Sequence, residues 1–99
     1  MTVFELLQTM DIQVVYGRHT DRVVPPYLMV IGAGQDHFDA DNTYYYVQDL
    51  HTIEYYFRKK NPAFERQLEG LLLDNGYRYA KSEDLYLDDE DIFMIYYDI

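Results

Sequence analysis

The sequence predicts an α+β domain, a mainly antiparallel sheet flanked by two helices in the order α-β-β-β(β)-α-β-β. Three observations carry this. Strand-like runs follow one another with few helices between them. Residues 52–58 alternate, with Ile53, Tyr55 and Phe57 on one side of the chain and Thr52, Glu54, Tyr56 and Arg58 on the other, the period of a sheet with one buried face. Phe64, Leu68, Leu71 and Leu72 recur at helical spacing between two clear end signals.

The elements follow in order. Thr2-Val3-Phe4-Glu5 is a capping box, in which the threonine hydroxyl accepts from the third helical amide and Glu5 reaches back to the cap. Phe4, Leu7 and Met10 then share a face of a helix of about two turns. Gln13 to Tyr16 is a brief strand ended by Gly17. Residues 18–26 form a polar loop closing on Pro25-Pro26, which favour extended backbone and cannot donate to a ladder. Tyr27 to Ile31 is a strong β run closed by Gly32-Ala33-Gly34. Residues 35–42, Gln-Asp-His-Phe-Asp-Ala-Asp-Asn, read as a polar turn. Thr43 to Lys59 is β-prone throughout and forms either two strands or one bent strand, because Gln48-Asp49 interrupts the aromatics. Asn61 is a good N-cap and Pro62 suits the first helical position. Asn75-Gly76 supplies a left-handed stop. Strands near Tyr77–Lys81 and Ile92–Asp98 follow, joined by an acidic segment from Ser82 to Asp91.

Ninety-nine residues make one domain, residues 1–99. At this size folding buries roughly 60–65% of the surface of the unfolded chain, for a stability of about 5–10 kcal/mol. The chain has no cysteine, which removes disulfides and thiolate metal sites and accords with a reducing compartment. Met1-Thr2-Val3-Phe4-Glu5 lacks the basic-then-apolar pattern of a signal peptide, and no apolar run approaches the ~20 residues of a membrane helix. The expectation is a soluble protein that folds inside the cell. A net charge of −10 argues against nucleic acid as a direct ligand, since phosphate binding needs concentrated Lys and Arg. The one basic cluster, Arg58-Lys59-Lys60, reads as a solvated strand end. Twelve Tyr and five Phe are hard to place in one small core. Buried hydroxyls need partners and Tyr is enriched at interfaces, so Tyr44, Tyr45, Tyr46, Tyr55 and Tyr56 are candidate interface residues.

The inventory for catalysis is poor. His19, His37 and His51 are far apart and none has a partner at metal-ligand spacing. Ser82 is the single serine and sits in no nucleophile-elbow context, so nucleophilic chemistry would fall to Thr, Lys or a carboxylate. Gly32-Ala33-Gly34 lacks the third glycine of a dinucleotide loop, and Asp36, Asp39 and Asp41 follow where a phosphate needs amides and positive charge. Those aspartates with Asn42 lack the glycine and distal glutamate of a calcium loop. No catalytic residue, metal or cofactor is assigned, and an enzyme is not expected. Asp84, Asp88, Asp89, Glu90 and Asp91 instead form a candidate acidic docking or bore-lining segment.

Several stretches follow one another in order: Val14-Val15-Tyr16-Gly17, Val24-Pro25-Pro26-Tyr27, Phe38-Asp39-Ala40-Asp41-Asn42, Ile53-Glu54-Tyr55-Tyr56, Lys59-Lys60-Asn61-Pro62 with Phe64-Glu65, Leu68-Glu69-Gly70-Leu71-Leu72, Tyr77-Arg78-Tyr79 and the final Ile95-Tyr96-Tyr97-Asp98-Ile99. In this order they resemble a family of small tail-completion (tail terminator or head–tail joining) proteins of long-tailed phages and prophages of Gram-positive bacteria. Together they span nearly the whole chain. At Tyr55-Tyr56-Phe57 the family has Leu-Tyr-Thr, and at Asn61-Pro62 it has Asp-Pro, swaps that keep the strand and the cap. The resemblance implies an α/β sandwich that assembles as a hexameric ring on the capsid-proximal end of the tail tube. Such a ring stops tube polymerisation, meets the tube protein and the head connector, and lets DNA pass through its bore without specific binding. It assembles in the host cytoplasm and ends in the virion tail. From another class, the same acidity suits an inhibitor that mimics DNA and binds a basic partner in a salt-sensitive way.

Overall fold

A computed structural model describes residues 2–17, 24–40 and 44–99, with the side chains of residues 35–49 outside the description. The eight elements are α1 (Val3–Leu7), β1 (Gln13–Tyr16), β2 (Tyr27–Ala40), β3 (Tyr44–Phe57), α2 (Pro62–Asp74), β4 (Ala80–Lys81), β5 (Leu85–Leu87) and β6 (Ile92–Asp98). Both helices start as their sequences specify. Thr2 and Glu5 close the capping box, with the Glu5 amide donating to Thr2 Oγ1 at 3.1 Å. The Phe64 amide donates to Asn61 Oδ1 at 3.2 Å and Pro62 opens the first turn. At the other end of α2, the Gly76 amide donates to the Leu73 carbonyl and the Tyr77 amide to that of Leu72. This paired closure requires a left-handed residue, which Gly76 supplies at φ 85°. Helix α1 is shorter than two full turns and buries Val3, Leu6 and Leu7, with Phe4 only half-buried.

The strands form one sheet in the order β1-β2-β3-β6-β4, and β5 also pairs with β6. All neighbours are antiparallel except β1 and β2, which run parallel from Gln13↔Tyr27 to Tyr16↔Val30. Alternation divides the sheet cleanly. Leu28, Val30, Ile53, Tyr55, Phe57, Ile95 and Tyr97 join Val3, Leu7, Leu68 and Leu72 in the main core, so both helices cover one face. Tyr27, Met29, Tyr56 and Ile92 form a second cluster on the opposite face, flanked by Val15, Ile31, Leu87 and Met94.

Two differences from the sequence reading stand out. The segment from Gln35 to Ala40 is strand where a polar turn over 35–42 is expected, and residues 41–43 lie outside the described residues. Of the two arrangements expected for Thr43–Lys59, the single strand is found: β3 runs from Tyr44 to Phe57 without breaking at Gln48-Asp49. Within the expected Tyr77–Lys81 strand only Ala80 and Lys81 pair, while Leu85–Leu87 adds a strand inside the acidic segment. The polar loop at 18–26 lies, up to residue 23, outside the described residues.

The consequence is a long hairpin that outruns its sheet. β6 pairs with β3 only over Thr52–Phe57, and β1 with β2 only over Tyr27–Val30. Gln35–Ala40 and Tyr44–Asp49 pair with each other alone among the described residues. Six pairs at about 3.4 Å per residue carry this ribbon roughly 20 Å past the sheet. The molecule is accordingly 51 × 26 × 23 Å. Where ribbon meets sheet, the register shifts between Gly32 and Gln35. The bulge includes Gly34 at φ 95°, a conformation that a side chain disfavours.

Candidate functional site

The functional features sit at three places. The first is the turn from β5 to β6. Leu87 registers with Ile92, leaving Asp88, Asp89, Glu90 and Asp91 as a four-residue loop. The Glu90 and Asp91 amides both donate to the Leu87 carbonyl, at 3.2 and 2.9 Å. Asp91 closes the turn at φ 54°, a left-handed value that aspartate tolerates better than most residues. Its carboxylate accepts from the Tyr86 hydroxyl at 2.7 Å. All four acidic residues are exposed, so the sequence run becomes one anionic hairpin tip. Asp84 does not join it. That carboxylate lies 3.1 Å from Lys60 Nζ, beside the start of α2.

The second place is the corner where β3 leaves the sheet. Pro25, Pro26, Phe57, Arg58, Lys59 and Asn61 line a groove of about 490 Å³. The Pro25–Pro26 peptide is cis. Arg58 and Lys59 are exposed, and neither forms an ion pair among the described residues. Lys60 is differently engaged, 2.8 Å from Glu65 Oε2 and 5.7 Å from the Phe57 ring centroid. Arg58 and Lys59 are thus a solvated strand end, as expected from the sequence, and Pro25-Pro26 builds the wall that faces them.

The third is the ribbon, where Phe38 registers with Tyr46, Asp39 with Tyr45 and Ala40 with Tyr44. The candidate interface residues therefore separate. Tyr44, Tyr45 and Tyr46 lie on the ribbon, with side chains outside the described residues. Tyr55 and Tyr56 are buried at 1% and 4% exposure and offer no surface to a partner. Tyr55 packs between Phe57 and Phe64, both 4.9 Å away between centroids. Tyr56 stacks on Tyr27, its cross-strand neighbour, at 4.8 Å, and its hydroxyl donates to Glu54 at 2.7 Å. Burial raises the Tyr55 hydroxyl to about 12 with help from the Glu65 charge, and Tyr27 likewise to about 12 beside Glu90 and Glu54. The exposed aromatics among the described residues are instead Tyr16, Tyr86 and Tyr96.

Beneath α2 lies a charged network. Glu65 is 2% exposed, yet Lys81 Nζ reaches its Oε1 at 2.9 Å and Glu69 Oε2 at 2.8 Å. The Lys60 ammonium neutralises Glu65 Oε2 without a well-aimed hydrogen bond. Tyr97 donates to Glu69 at 3.0 Å and Tyr79 at 3.4 Å. Burial alone would raise both carboxyls, but the surrounding ammonium and hydroxyl donors outweigh it and hold both below the ordinary glutamate value. Every carboxylate here is paired with a cation, an arrangement that fixes the helix to the sheet.

His51 alone of the three histidines has a described side chain, and no three His, Asp or Glu gather at metal-binding distance among the described residues. No described helix is long and apolar enough to cross a membrane. Comparison with protein-family models, curated proteins and solved structures finds no match to this chain.

Proposed function

We propose that this chain is a tail-completion or head–tail joining protein of a long-tailed phage or prophage, acting as a ring that ends the tail tube and meets the head connector. The observation that carries the reading is the ordered resemblance, from Val14-Val15-Tyr16-Gly17 to Ile95-Tyr96-Tyr97-Asp98-Ile99, across nearly the whole chain. The α+β sheet with helices on one face agrees with the architecture that the resemblance implies. The anionic tip at Asp88, Asp89, Glu90 and Asp91 supports a surface past which DNA slides, because it repels phosphate.

The same tip favours one other reading, an inhibitor that offers carboxylates to a basic DNA-binding protein. Electron microscopy of lysates from a phage or prophage carrying the gene, with and without its deletion, separates the two. Tail completion predicts overlong tails, or filled heads beside unattached tails, in the deletion. Ordinary complete particles would sink it and favour the inhibitor.

A further inference from the structure

We infer that the β2–β3 ribbon of one copy docks in the basic groove at Pro25, Pro26, Arg58 and Lys59 of a second copy, head to tail. The inference deepens the ring reading by giving that ring its subunit contact.

Three observations lead to it. The ribbon has no neighbour in its own chain among the described residues, and a two-stranded hairpin is marginal in water by itself. Its charge is of one sign, with Asp36, Asp39, Asp41 and Asp49 and neither Lys nor Arg between Gln35 and Asp49. Within a chain of net charge −10, the groove holds two exposed cations that have no ion pair among the described residues. Ribbon and groove are therefore complementary in charge, and the proline wall suits the ribbon's aromatic positions.

Topology then sets the symmetry. β3 begins in the ribbon at Tyr44 and ends at Phe57, beside the groove. The two surfaces lie at opposite ends of one strand, so a chain cannot fill its own groove. Each contact between two copies leaves one ribbon and one groove unused. Such a heterologous contact propagates until a ring closes, whereas a two-fold dimer would pair like surfaces.

The chain has no cysteine, so introduced thiols report cleanly. One chain carries Gln48→Cys on the ribbon and another Val24→Cys beside the groove, where Val24 is 66% exposed. They are mixed under mild oxidation at about 1 mM, where a contact with Kd near 1 mM is still substantially populated. Docking predicts the mixed 48–24 disulfide several-fold above either like pair. It also predicts loss of that product with Arg58→Glu and Lys59→Glu, and its recovery when the ribbon chain also carries Asp36→Lys and Asp39→Lys. Circular dichroism verifies that each variant is folded. Like pairs equal to the mixed product, no disulfide, or a yield indifferent to charge reversal would each overturn the docking. Those results concern the contact alone, because the lysate experiment decides the role in tail completion separately.

Discussion

Glu65 shows how a single buried charge can serve the fold. Its carboxylate is nearly shut off from water but lies within reach of Lys60 and Lys81, whose own side chains remain partly exposed. Losing one cation therefore leaves an uncompensated charge indoors, whereas losing the carboxylate lets both lysines turn to solvent. Glu65→Gln should cost about 1–3 kcal/mol, read as a lower urea midpoint at unchanged slope. The network also has a pH signature. Glu65 and Glu69 bind protons more weakly folded than unfolded, where the ordinary value is 4.5. Their contribution is thus complete above about pH 4.5 and is lost as pH falls through the folded values. Urea midpoints taken from pH 7 to pH 3 should drop, and Glu65→Gln should flatten that acid limb. Tyr97→Phe tests the neighbouring bond: the ring stays packed, Glu69 loses a 3.0 Å donor, and stability should fall by about 1.5–3 kcal/mol.

At the scale of elements, α2 was the most legible feature. Its cap, first-turn proline, apolar stripe and glycine stop all agree, and each is local. Leu68→Ala, at a fully buried position, should destabilise by about 2–5 kcal/mol, whereas Asn61→Ala should cost only about 1 kcal/mol, both measurable by urea unfolding. The alternation at 52–58 was equally readable, because one face meets helices. Tyr56 shows where pattern stops being informative. Its alternate position argued for exposure, but a cross-strand Tyr27 and a hydrogen bond to Glu54 bury it on the second face. Residues 35–42 read as a turn because they are polar, and their aspartates and alanine are residues that strands disfavour. Pairing with the tyrosine-rich start of β3 overrides that preference, a non-local effect that no window along the chain contains. Strand direction is hidden in the same way: period 2 is identical for parallel β1 and for its antiparallel neighbours. The acidic tip was legible as a run, but Asp84 was grouped with it only because sequence distance stood in for spatial distance. Since Gln35–Ala40 and Tyr44–Asp49 pair only with each other among the described residues, replacing residues 34–49 by an Asn-Gly turn should leave the urea midpoint within about 1 kcal/mol of the parent.

Across the whole molecule, charge and shape are unevenly distributed. The Cα radius of gyration is 15.1 Å, against about 13 Å for a compact chain of 100 residues. The excess belongs to the ribbon, while the hairpin of four carboxylates projects from the β5–β6 edge. If that hairpin faces passing DNA, then Asp88→Lys, Asp89→Lys and Glu90→Lys together should slow or arrest genome delivery by otherwise complete particles. Delivery at the parental rate, measured as infectivity per particle, would remove the hairpin from the path.

The unequal partnering of β3 also divides a single strand in time. Amides of Thr52–Tyr56 lie between two neighbouring strands and can exchange with deuterium only through large openings of the sheet. Those of Tyr44–Asp49 have one neighbour and can exchange whenever the ribbon frays. Hydrogen exchange should therefore show a step near Leu50, fast on one side and slow on the other. Occupancy of the ribbon by a partner would erase that step, so the exchange rates of one strand would report assembly directly, without any label on the partner.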